Sequence, residues 1–138
     1  MAVVYEPAMA DVMLDTSAYS AFNRGDERLR QFFKDGVQII VPQIVIGELR
    51  AGFALGSRTD ENEQLLQRLL DSPNVHTISI SDATTKLFAA IFARLKRTGK
   101  MMGSNDIWIA ALALEHDCLL LTLDGDFARV PDLMIAEL

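Results

Sequence analysis

Five carboxylates stand out in this chain because each lies beside apolar sequence rather than in a charged surface run. They are Asp15 in "LDTSAY", Glu48 in "IGELRAG", Asp106 in "GSNDIWIAA", and Asp124 and Asp126 in "LLLTLDGDF". Carboxylates brought close together repel and raise one another's pKa unless a cation sits among them. Hard oxygen donors of this kind suit Mg2+ or Mn2+. Ions held that way activate water and polarise phosphoryl oxygens. Other chemistries lack their residues: His76 and His116 are far apart and without zinc-ligand spacing, and no phosphate loop, nucleophile elbow or Cys–His pair is present.

Taken singly, each acid has a local explanation. Asp15 suits an Asx-turn or helix cap, Asp106 complements the positive end of a helix, and Asp124-Gly125-Asp126 reads as an ordinary turn. Glu48 has mostly apolar neighbours, so it must reach solvent or a partner such as Arg50. What decides between caps and a site is where the elements carry them.

Apolar runs alternate with helical patterns along the chain. "DVMLDT" predicts a first strand ending at Asp15, and "TSAYSAF" a short helix stopping near Asn23 and Gly25. Leu29, Phe32 and Phe33 have amphipathic spacing between Asp26 and Lys34, with Asp35-Gly36 as the stop. "VQIIV" predicts a strand, Pro42 a helix start, and "QIVIGELRAGFALG" the helix. "TDENEQLLQRLLDS" places Leu65, Leu66, Leu69 and Leu70 on one stripe, and "VHTISI" alternates like a half-buried strand. "SDATTKLFAAIFARLKRTGK" has the charge order that the helix dipole favours and ends in glycine. The helix after Asp106 is apolar on every side, and "CLLLT" reads as a buried strand.

This alternation predicts an α/β/α sandwich in one domain, with a parallel sheet covered by helices. Sites in such sheets form beyond the carboxyl ends of the strands. Asp15 ends the first strand, Asp124 ends the last, Asp106 opens the helix feeding it, and Glu48 lies about two turns into the helix after the second strand. Four independent caps have no reason to share one edge, so the acids are read together as a metal site.

With 138 residues, half of them hydrophobic, the chain has enough apolar sequence for one sizeable core. Its single cysteine, Cys118, rules out an internal disulfide and suits a reducing cytoplasm. Apolar segments fall short of the ~18–20 residues of a membrane span, and the start lacks the basic region of a signal peptide. The net charge of -6 argues against a polyanionic partner, but bound divalent ions reverse a local field. Basic residues gather at Arg24, Arg28 and Arg30 and at Arg94, Lys96, Arg97 and Lys100, which suits either solvated helix faces or nucleic-acid backbone contacts.

The blocks around Asp15, Glu48, Asp106 and Asp124, in that order, resemble the acidic blocks of the PIN domain family, and most of all its VapC-type toxin ribonucleases. The resemblance spans nearly the whole chain; the ten residues before "DVMLDT" form an extension it does not require. It implies a five-stranded, mostly parallel sheet and an endoribonuclease dependent on Mg2+ or Mn2+. It also implies a VapB-type antitoxin partner and a homodimer. By the same resemblance Asp15, Glu48, Asp106 and Asp124 are catalytic metal ligands, and Asp126 is a further ligand or orients a metal-bound water. Thr16, Ser17, Asn105 and Thr122 hydrogen-bond around them, and Arg24 and Lys100 are candidates for the RNA backbone. Two other readings remain open: a metal-free protein-interaction module using Phe53, Leu55 and Met101, and a structure-specific DNA nuclease on the same fold.

Overall fold

A computed structural model describes residues 11–33 and 37–138. Val12–Leu14 form β1, with all three side chains buried. β1 pairs in parallel with β2 (Ile39–Ile40) on one side and with β4 (Leu119–Leu121) on the other, while β2 pairs with β3 (Val75–His76). The order is therefore β3-β2-β1-β4, with Met13 opposite both Ile40 and Leu120. Parallel neighbours need crossovers, and helices supply every one. α1 (Thr16–Asn23) and α2 (Glu27–Arg30) join β1 to β2, α3 (Gln43–Leu55) and α4 (Thr59–Leu70) join β2 to β3, and α5 (Asp82–Thr98) and α6 (Ser104–Glu115) join β3 to β4. Because crossovers between parallel strands are right-handed almost without exception, connections that run outward twice and then return across the sheet place helices on both faces. The expected α/β/α sandwich is the observed architecture.

Four strands form rather than the five that the resemblance implies. The fifth place, beside β4, is taken by the tail, where Leu120 bridges Ile135 in parallel. The Leu120 amide donates to the Met134 carbonyl at 2.8 Å, and the Ala136 amide donates to the Leu120 carbonyl at 2.9 Å. Of the residues there only Ala136 is buried and Met134 is exposed, so little apolar area draws the tail into a longer strand.

α6 is apolar all round because it is covered from several directions: it contacts α5, α3 and β4, and Ile107 and Ile109–Ala113 are buried. α5 is set against it by both ends. Ser81 and Thr84 form a reciprocal capping box at its start, and Gly99 takes the left-handed conformation (φ 68°) at its end. Glu115, closing α6, accepts hydrogen bonds from Ser81 Oγ at 2.9 Å and from Thr84 Oγ1. Between the two helices Phe88 stacks on Trp108 with ring centroids 3.9 Å apart.

Several local expectations change. "VQIIV" and "VHTISI" shrink to two-residue strands, because Pro42 has no amide hydrogen and ends β2 as α3 begins; the Val41 and Gln43 amides still donate to His76 and Ile78. The segment after Asp26 is one turn of α-helix continued as a 3-10 turn over Gln31–Phe33, and its expected stop at Asp35-Gly36 lies outside the described residues, as does the N-terminal extension. On α4 Leu66 is buried, but Leu65 is exposed. Phe53 packs against the core, whereas Leu55 and Met101 are exposed. Cys118 is buried, and loss of hydration pushes its thiol up to about 12, so it behaves as the small hydrophobe its context suggests.

Candidate functional site

β1 and β4 end level, with Leu14 opposite Leu121, and the residues that follow them meet. Asp15 is only 4 % exposed. It does cap α1, its Oδ1 accepting from the Ala18 amide at 2.8 Å. It also accepts from Ser17 Oγ, at 2.8 Å to Oδ1 and 3.0 Å to Oδ2, and from Thr122 Oγ1. Each hydroxyl has one hydrogen, and both point at the carboxylate. Their lone pairs receive backbone amides in turn: Leu123 donates to Ser17 Oγ at 3.0 Å and Asp124 to Thr122 Oγ1 at 3.0 Å. Burial pushes the Asp15 carboxyl above its ordinary range; hydrogen bonds from Thr122, Ala18 and Ser17 oppose that, and the charge of Asp124 adds to it.

Glu48 is half-buried on α3, whose Val45, Ile46 and Leu49 enter the core. Its Oε1 accepts from Thr16 Oγ1 at 3.0 Å, tying α3 to the start of α1. Arg50 does not serve it, since its Nε donates to Glu63 at 2.8 Å. Asp106 lies half-buried in the first turn of α6, which has no side-chain cap at Gly103. Loss of hydration raises its carboxyl from the ordinary 3.8 to about 6, with further upward pushes from Asp124, Glu48, Asp15 and Asp126. One carboxyl thus feels the charge of the other four. Asp124 caps the 3-10 helix Gly125–Arg129 by accepting from the Asp126 amide at 2.9 Å, and Asp126 pairs with Arg129 at 3.3 Å.

Of the polar residues expected around the acids, Thr16, Ser17 and Thr122 make such bonds, whereas Asn105, among the described residues, is exposed and makes no hydrogen bond to them. Arg24 and Lys100 are also exposed. Arg129 was not anticipated, although its place three residues after Asp126 was a usable signal.

Among the described residues, no three acidic, histidine or cysteine side chains stand as a finished ligand set. Asp15, Glu48 and Asp124 each hold a hydrogen bond of their own, and Asp126 holds Arg129. The donor chemistry nevertheless fits a hard divalent cation, because every candidate ligand is a carboxylate and their mutual repulsion is what such an ion relieves.

A family model described as the PIN domain matches residues 12–133. Ribonuclease VapC5 of Mycobacterium tuberculosis is 30 % identical over 118 residues, covering 86 % of each chain. The fold is similar to that in the crystal structure of VapBC2 from Rickettsia felis bound to a promoter DNA fragment, with a TM-score of 0.82, 24 % identity, and coverage of 91 % of this chain and 96 % of that one. VapBC-5 from M. tuberculosis, a toxin-antitoxin system, gives a TM-score of 0.71 and 26 % identity over 94 % of this chain and 99 % of that one. With its sheet order, its acids at the carboxyl edge and a match over nearly its full length, the chain belongs to the PIN domain family.

Proposed function

We propose that this chain, as one domain over residues 1–138, is an endoribonuclease dependent on Mg2+ or Mn2+ and the toxin of a VapBC-type pair. In this reading it works in the cytoplasm as a homodimer and is held in check by a VapB-type antitoxin. The observation that carries the reading is the convergence of charge on Asp106 from Asp15, Glu48, Asp124 and Asp126 beyond the ends of β1 and β4. The names of the relatives support RNA as substrate and an antitoxin as partner.

Asp15, Glu48, Asp106 and Asp124 would hold the ion, with Asp126 beside them. Bound there, it would supply a more acidic water and a polarised phosphoryl oxygen. The chain's own part is positional. Ser17, Thr122 and the Ala18 amide donate to Asp15 and oppose, without cancelling, the upward push of burial on its carboxyl, and Thr16 fixes one oxygen of Glu48. Asp106, at about 6, is mostly ionised at neutral pH and makes no competing side-chain hydrogen bond among the described residues. Arg24 and Lys100 are proposed contacts for RNA phosphates.

RNA cleavage that appears with Mg2+ or Mn2+, stops with chelator and disappears in a folded Asp106→Asn variant is the expected result. Full cleavage by that variant ends the assignment. Single-stranded or flapped DNA cut in place of RNA would move the chain to the DNA-nuclease reading. Leu55, 92 % exposed at the end of α3, favours a protein partner lying across α3 and α4. If that surface were the whole function, titration with Mn2+ would show no binding. Growth arrest on expression of the chain alone, relieved by the neighbouring small gene product, is expected of the toxin.

A further inference from the structure

Side-chain contacts join the acid-bearing elements at three places, and only at the third is the linking side chain one not yet placed at the site. Thr16 to Glu48 joins α1 to α3, and Thr122 to Asp15 joins β4 to β1. The third is made by Arg129. Its Nη2 lies 3.3 Å from Asp126 Oδ1, and its Nη1 donates to the Met101 carbonyl oxygen at 3.0 Å. Met101 belongs to the segment between Gly99, where α5 ends, and Gly103, where α6 begins. One guanidinium therefore spans from the turn that carries Asp124 and Asp126 to the segment that delivers Asp106.

We propose that Arg129 is a positioning residue that sets the distance between Asp106 and the Asp124–Asp126 turn. The inference rests on the metal-site reading above and deepens it.

Charge alone does not explain the residue. The side chains of Arg129 and Asp126 are 40 % and 50 % exposed, and ion pairs at such exposure contribute little to stability. Geometry is what a guanidinium adds: two nitrogens in a fixed plane reach two acceptors at once, which a lysine ammonium does not reproduce. The acceptors are also unlike. A carboxylate is held by charge, whereas a main-chain carbonyl is held by direction, so the second contact fixes backbone. It is needed there because the start of α6 has no side-chain cap, and the neighbouring anchor on this segment is buried Met102. The acids themselves repel, and a strap between their carriers opposes that repulsion without occupying Asp106 or Asp124.

The test uses the full chain with Arg129→Lys and Arg129→Met. Amide hydrogen exchange without metal reads the strap through the protected amides that flank it. In both variants exchange of the Lys100 and Ile107 amides, which donate to Leu95 and Gly103 on either side of the Met101 carbonyl, should speed up at least tenfold, while β1 and α1 keep their wild-type rates. Calorimetry with Mn2+ alone should show roughly 10–100-fold weaker binding. RNA cleavage should lose kcat with KM nearly unchanged, and Arg129→Lys should rescue little of it. Wild-type exchange at both Lys100 and Ile107 in Arg129→Met overturns the proposal, as does wild-type Mn2+ affinity in that variant. A rise in KM with a shallower salt dependence, restored by Arg129→Lys, would instead make Arg129 a phosphate contact and also overturns it. If the wild-type chain neither binds Mn2+ nor cuts RNA, the functional reading fails while the exchange result still decides the strap.

Discussion

Thr122, the residue after β4, donates its hydroxyl hydrogen to Oδ2 of Asp15, the residue after β1 and 107 positions earlier in the chain. The parallel register makes this possible, because Leu14 and Leu121 are partners and the next residues of both strands emerge side by side. A buried carboxylate with one donor removed is left short of what its charge requires. Thr122→Val is therefore expected to lower stability by about 1.5–3 kcal/mol, the range for a hydrogen bond to a charged group, and to push the Asp15 carboxyl further up. Urea denaturation at neutral pH checks this, with Thr122→Ser close to wild type.

Asp106 supplies a pH signature. In the metal-free protein its carboxyl is raised from 3.8 to about 6, so between those values the folded state holds a proton that the unfolded state has released. The stability this contributes is fully present below pH 3.8 and is lost as pH rises through 6. Asp106→Asn removes this dependence, and at pH 7 it should be at least as stable as wild type because a repelling charge is gone. Thermal melts in chelator from pH 4 to 7 compare the two.

Thr16 is expected to act on metal affinity through Glu48, whose Oε1 it holds at 3.0 Å. Thr16→Val should weaken Mn2+ binding by about tenfold or more, while Thr16→Ser keeps it. Titration calorimetry on folded variants reads the difference; equal affinities would mean that Glu48 needs no holding.

The α5 cap separates fold from chemistry. Ser81 caps the Thr84 amide and also bonds Glu115, with no contact to the acids of the site. Ser81→Ala should cost about 1 kcal/mol, within a range of roughly 0.5–2, and leave cleavage per folded molecule unchanged. Denaturation and cleavage assays on one preparation test both halves.

Much of this architecture was legible in the sequence because its signals are local. "CLLLT" is a buried strand by composition, Ser81 and Gly99 bracket α5 by their chemistry, and Asp15 and Asp106 follow from where strand and helix change over. The sheet edge on which the acids meet followed from parallel topology. Less legible were features set by tertiary contact. Strand length at β2 and β3 depends on where a neighbour stops, Leu65 keeps a helical period yet faces outward, and the tail pairs at one residue only. Arg129 escaped notice because half of its contact is to a main-chain carbonyl 28 residues away, which no side-chain pattern encodes.

Among the described residues the sheet contains no hairpin, and of its four strands the inner strand β1 comes first in the chain and β4 last. At a synthesis rate of ~5–20 residues per second, Asp15 leaves the ribosome's active centre roughly 5–20 s before Thr122 has been added. A nascent or truncated product lacking Asp124 carries an incomplete set of acids. Under the proposed function, translation order leaves the growing polypeptide without its full set of acids until the residues that follow β4 have been added.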